Sequence, residues 1–183
     1  MNISSQSARA RAKMRALRVV IYQDYFQKEI GSVMIKVFIW LPHEQMVGHT
    51  ALLVRGQYIS FWPEGGADAK DIKTKRSQTG AWVASLGKDI HSEGGRQPEV
   101  IELYNLDEEA VLSFYNDYVQ MQPRYQIVRN NCSHVVANCL MAGGRKPSFT
   151  PNAGHYGNLA RILGIGVWTP DQILKFANEL KYL

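Results

Sequence analysis

Hydrophobic positions along the chain change their period several times, and each change marks an element. Val33 to Leu41 is apolar except for Lys36, long enough for a buried strand and too short to span a bilayer. After Pro42, two runs rich in β-branched and aromatic residues, Val47 to Val54 and Gln57 to Pro63, flank Arg55-Gly56, which predicts a β-hairpin. Val100 to Tyr104 reads as a further strand. Asp107 then opens a helix with acids in its first turn, where the helix dipole favours them, and Pro123 stops it. Tyr125 to Val128 is a short strand feeding an apolar-periodic helix that starts at Cys132 and ends at Gly143-Gly144. Thr169-Pro170-Asp171 caps a final amphipathic helix whose Ile173, Leu174, Phe176, Ala177 and Leu180 face the core.

The intervening stretches carry weaker patterns. Residues 5 to 29 predict a helix with an internal break, and residues 1–30 as a whole are expected to form a basic helical segment. Residues 64–98 are polar and punctuated by Gly65-Gly66, Gly80, Gly87, Gly94-Gly95 and Pro98. That is too long for a passive connection, and because it leaves the hairpin directly it is expected to form a flap over a site there, with Trp82 as its large apolar residue. Lys146 to Gly157 is a turn-rich linker before a short helical stretch at 158–163. With 183 residues, 45% of them hydrophobic, the chain is expected to fold as one domain over 1–183, of α+β class.

Charge narrows the function classes. The net charge of +5 comes from Arg9, Arg11, Lys13, Arg15 and Arg18, all before the first acid, Asp24, so the rest of the chain is balanced. No aromatic residue is interleaved with these charges, which argues against single-stranded nucleic-acid binding; no nucleic-acid partner is expected, and the segment reads as a solvated basic helix or a contact for an anionic surface, chaperone or delivery partner. The N-terminus lacks the apolar core of a signal peptide, and no run is long enough for a transmembrane helix, so synthesis in the cytoplasm is expected. Cys132 and Cys139, seven apart on one helix, are about 10 Å apart along its axis and should both be reduced. The spacing of Cys132, His134 and Cys139 matches no familiar zinc pattern, so no metal is expected.

The chemistry lies at Asn131-Cys132. A cysteine in the first turn of a helix meets unpaired N–H groups and the positive end of the dipole, which stabilise thiolate over thiol. His49, at the mouth of the hairpin, supplies an imidazole, and the two suffice for nucleophilic catalysis. The remaining histidines have no such partner: His134 lies about 200° around the helix from Cys132, and His43, His91 and His155 fall in loops. Asp89 and Glu93, beside His91, are placed to meet a substrate without any spacing that demands it.

A strand beginning with His49, a following strand Tyr58 to Trp62, and a later helix opened by Asn131-Cys132-Ser133-His134 resemble circularly permuted papain-like cysteine hydrolases. Those comprise NlpC-type enzymes, lecithin:retinol acyltransferase-like proteins and permuted desumoylating isopeptidases. The resemblance covers about residues 33 to 145. It implies a permuted papain-like fold, a small antiparallel sheet packed against the helix that carries the nucleophile. One departure concerns the third residue. Acyltransferase-like members place a second histidine on the strand after the first, where direct counting finds Phe61. A two-residue turn at Arg55-Gly56 puts Ala51 opposite Ser60, so Ser60 shares the face of His49 and is the candidate to orient its ring; a three-residue turn sends Ser60 to the other face and leaves a dyad.

The resemblance implies a cysteine hydrolase acting on an amide or isopeptide bond in peptidoglycan or protein, with Cys132 as nucleophile, His49 as base and acid, Ser60 orienting it, and no cofactor. A thioester-forming acyltransferase or phospholipase is the alternative, with Phe61, Trp62 and Trp82 lining an acyl channel; a binding module that has lost catalysis is the other. Because bacterial relatives include secreted toxins, the expected setting is an effector delivered by a specialised secretion system, with a chaperone or an immunity protein as candidate partners.

Overall fold

The computed structural model describes residues 34–44, 46–66, 76–151 and 166–182. The expected N-terminal helix, the helical stretch at 158–163 and His155 lie outside them. A division between Ser32 and Val33 separates the basic N-terminal segment from the unit that holds all the described residues.

Six strands form one antiparallel sheet: β1 (Met34–Trp40), β2 (His49–Val54), β3 (Gln57–Pro63), β4 (Gln78–Trp82), β5 (Glu99–Tyr104) and β6 (Arg124–Tyr125), in the order β5-β1-β2-β3-β4-β6. Among the described residues there are four helices, α1 (Leu86–Ser92), α2 (Glu108–Gln120), α3 (Cys132–Gly143) and α4 (Pro170–Lys181). The fold is therefore α+β. Side chains alternate across the sheet. Ile35, Val37, Leu52, Ile59 and Phe61 point into the main core with Val135, Val136 and Leu140 of α3 and Ile173, Phe176 and Leu180 of α4. On the opposite face Phe38, Trp40, Ala51 and Tyr58 pack against Leu86 and Ile90 of α1. Burial of each large apolar side chain contributes roughly 1.5–3 kcal/mol, so the sheet is held between two layers.

The β2–β3 turn decides between the two registers. Val54 pairs directly with Gln57, and Arg55 and Gly56 both have positive φ, 46° and 80°. This is a two-residue turn of the primed kind, whose twist matches that of the strands it joins. Ala51 consequently pairs with Ser60, and Ser60 lies on the face of His49.

Two stretches differ from expectation. The described part of residues 64–98, expected as a flap, is built into the fold: β4 pairs with β3 and β6, and α1 covers the second face of the sheet. Gly80 hides the strand in the sequence, yet it is required there, because a Cβ would lie 2.4 Å from the Phe61 ring and 2.6 Å from the Pro123 carbonyl oxygen. Trp82 packs on the rings of Phe61, Tyr115 and Tyr118 beside the main core. The strand expected over 125–128 shortens to Arg124–Tyr125, after which Gln126 and Asn130 bridge across a tight turn that delivers the chain to Cys132.

Candidate active site

His49 is the first residue of β2, opposite Trp40 of β1. Gly48 makes this entry possible: its φ is +76°, and a Cβ there would sit 2.3 Å from the Trp40 carbonyl oxygen, so a side chain would push the strand away from β1. Cys132 is the first residue of α3. Asn131 caps that helix by accepting a hydrogen bond from the His134 backbone N–H at 2.9 Å, while its side-chain amide donates to the carbonyls of Ile127 and Trp168 at 2.8 and 2.9 Å. One buried asparagine thus fixes the helix start to the preceding turn and to the segment before α4. The Thr50 hydroxyl donates to Ser133 Oγ at 3.2 Å, joining the start of α3 to β2. The first-turn N–H groups that the Asn131 cap does not use are those of Cys132 and Ser133.

The sheet separates two layers, and His49, the first residue of the central strand β2, lies where both reach the end of the sheet. From the α1 layer, Asp89 Oδ2 lies 3.3 Å from His49 Nε2, and Ser60 Oγ lies 2.9 Å from the same nitrogen. Nε2–H is thereby shared between a carboxylate and a hydroxyl. His49 Nδ1 is buried and has no hydrogen-bond partner among the described residues, and the Cys132 thiol interacts electrostatically with the His49 side chain. Cys132 is 6% exposed and His49 0%.

Asp89 is held from all sides by donors. Tyr58 Oη–H donates to Oδ2 at 2.6 Å, Trp62 Nε1–H to Oδ1 at 2.9 Å, and Ser60 bonds to it as well. A group surrounded only by donors is stabilised as an acceptor, hence as a carboxylate. Burial alone would raise the Asp89 pKa, but the imidazole and the Tyr58 and Ser60 hydroxyls bring it below the usual carboxylate range. Burial would likewise depress His49; the Cys132 thiolate beside it and the Asp89 carboxylate outweigh this and raise it to about 9. Burial pushes the Cys132 thiol up, and the imidazolium, the Thr50 backbone N–H and Ser133 pull it below its ordinary value. The electrostatics favour thiolate beside imidazolium. Cys139, by contrast, is fully buried with no such partner and is pushed up to about 12.

Cys132, His49 and Ser60, the three residues picked from the sequence, are brought together. Asp89 was not assigned there. The signal was present: Leu86, Asp89, Ile90 and Glu93 share one face of a short helix, so two acids fall on an apolar stripe, and both are buried. His134 turns back to Asn131, with Nδ1 2.9 Å from Oδ1, and burial lowers its pKa to about 4. His43 lies beside Glu44 on the surface. Among the described residues no group of three or more His, Cys, Asp or Glu is arranged to hold a metal ion, and no helix is long and apolar enough to cross a membrane.

Comparison with protein families matches residues 86–182, more than half of the chain, to the family described as the IcsB middle domain. The match includes Asp89 and Cys132 and begins after His49 and Ser60. Comparisons with curated proteins and with solved structures found no match.

Proposed function

The chain belongs to the IcsB middle domain family, and we propose that it is a thiol enzyme of permuted papain-like organisation that cleaves an amide or isopeptide bond through an acyl-enzyme on Cys132. The observation that carries this reading is the arrangement around His49, with a carboxylate and a hydroxyl on Nε2, the other ring nitrogen buried without a hydrogen-bond partner among the described residues, and a thiol at the start of a helix coupled to the same side chain. Cys132 thiolate attacks the carbonyl carbon, and the C–S bond forms as the oxygen becomes an oxyanion. The Cys132 N–H at the helix start stabilises that charge. Collapse breaks the C–N bond, and the proton on His49 Nδ1 passes to the leaving amine. His49 then takes a proton from water, which attacks the thioester and releases the acid and the thiolate. Asp89 and Ser60 hold the ring so that Nδ1 faces sulfur throughout.

A second reading keeps the acyl-enzyme and changes the acceptor. The near-complete burial of Cys132 and His49 favours it, because a thioester shielded from water survives to meet an amine or hydroxyl acceptor. Membership in the family supports a setting as a secreted bacterial effector, with a peptide, peptidoglycan or protein-conjugate substrate and a chaperone or immunity protein as partners.

The test is intact-mass measurement of alkylation by iodoacetamide at pH 7, followed by assays with amide, isopeptide and acyl-thioester donors, with and without a lysine peptide. Selective labelling of Cys132 over Cys139 and donor cleavage that is lost in Cys132→Ala are expected. Transfer to the peptide in place of release to water would select the second reading. Equal slow labelling of both cysteines with no donor consumed would leave a binding module.

A further inference from the structure

The His49 ring does not lie free between its two polar partners. The Trp62 ring is stacked on it, with centroids 4.1 Å apart and planes 18° from parallel, and Trp40 lies tilted nearby at 5.7 Å. Trp62 is two residues beyond Ser60 on β3, so the same pleat that presents Ser60 to Nε2 also lays an indole over the imidazole face. Its Nε1–H donates to Asp89 Oδ1 at 2.9 Å, while Oδ2 faces His49 and Tyr58. One side chain therefore touches both the ring that carries the proton and the carboxylate that orients it. A buried tryptophan could be filling space alone, but filling space requires neither the near-parallel stack nor the N–H aimed at the carboxylate.

We propose that Trp62 is a positioning residue that sets the protonation state of His49, its π face stabilising the imidazolium and its N–H fixing the Asp89 carboxylate in register. This rests on the reading of Cys132 and His49 as the reacting pair. The physical basis is the attraction between a cation and the negative face of an indole, which strengthens when water is excluded. The charged or titratable groups that face the ring are Cys132 from α3, Asp89 from α1 and Tyr58 through Asp89. Glu93 also acts on His49 electrostatically and is itself paired with Arg96. None of these can replace Trp62 on the face of the ring.

The experiment compares Trp62→Phe, Trp62→Leu and Tyr58→Phe. Melting temperature checks folding, NMR follows the His49 pKa, and iodoacetamide labelling against pH follows thiolate formation at Cys132. Trp62→Leu, which loses both ring face and N–H, is expected to lower the His49 pKa by about 0.5–1.5 units and to move the labelling curve of Cys132 to higher pH. Trp62→Phe, which keeps a ring face, should recover part of the shift in folded protein, and it serves alone if the leucine variant does not fold. Tyr58→Phe removes a donor from Asp89 without touching the stack and should shift His49 less than Trp62→Leu. Repeating the NMR titration in a Cys132→Ala background separates the role of Trp62 from the reactivity of the thiol. A fall in the His49 pKa on Trp62 substitution there upholds the role of Trp62 even if the thiol proves inert. A folded Trp62→Leu or Trp62→Phe protein whose His49 titrates as in the parent, in both backgrounds, overturns it and leaves the indole as packing.

Discussion

Replacing Asp89 by Asn is the sharpest perturbation of the site, because the side chain keeps its shape, loses its charge and exchanges one acceptor oxygen for an NH2 donor. In the parent, Tyr58 at 2.6 Å, Trp62 at 2.9 Å and His49 at 3.3 Å all donate to the carboxylate. An amide NH2 in that cradle meets donors where acceptors are needed, and the imidazolium loses its counter-charge. An opposite charge at this range shifts a pKa by about 1–3 units, equivalent to about 1.4–4 kcal/mol of lost imidazolium stability. The His49 pKa should fall from its raised position by that amount, the Cys132 thiol should rise with it, and the rate of any reaction through the ion pair should drop roughly tenfold to thousandfold. The assay is the pH profile of Cys132 alkylation by intact mass, with Cys139 as internal control, alongside NMR titration of His49. Stability gives an independent check. Asp89 has a depressed folded pKa, so its stabilisation is present above the unfolded value of about 3.9 and is lost as pH falls through the folded one; Asp89→Asn should lose that acid-sensitive component. A folded Asp89→Asn protein with the parental His49 pKa and labelling profile would refute the argument that this carboxylate supports the imidazolium.

Other outcomes follow from the same geometry. Turnover should show an alkaline limb near pH 9 as His49 loses its proton and an acid limb as Cys132 gains one; because the raised His49 pKa stabilises the fold below about 6.5, that contribution should fade as pH rises through about 9, measurable by denaturant unfolding. Ser60→Ala should lower activity about tenfold to a hundredfold with little loss of stability, since Asp89 still holds Nε2; an unchanged rate would remove Ser60 from the orienting role. Asn131→Ala removes the cap and leaves the Ile127 and Trp168 carbonyls without their donor, which should cost roughly 2–5 kcal/mol by chemical denaturation. Gly80→Ala should destabilise by about 1–3 kcal/mol through its clash with Phe61 and the Pro123 carbonyl, and a neutral result would show that β4 yields there.

Features that depend on neighbours along the chain were legible in the residues alone. Asn131 before Cys132 sets a helix start, Gly143-Gly144 its end, and the strands and the Arg55-Gly56 turn follow from local backbone preferences. Once that turn has two residues, counting along the two strands pairs Ala51 with Ser60 and sets Ser60 beside His49. Other features came from contacts between elements distant in the chain. Gly80 weakens the local signal of β4, and only the tight approach of Phe61 and Pro123 explains why a strand must carry a glycine there. The apolar stripe at Leu86 and Ile90 marks Asp89 as an acid on a buried face, but its role was not legible there, since ionising a buried carboxylate depends on donors from other elements, here Tyr58 and Trp62, 31 and 27 residues away. Backbone preferences act over a turn or two of chain, whereas the stability of a buried charge is set by the partners that surround it in space, and those become neighbours only when the sheet closes against α1.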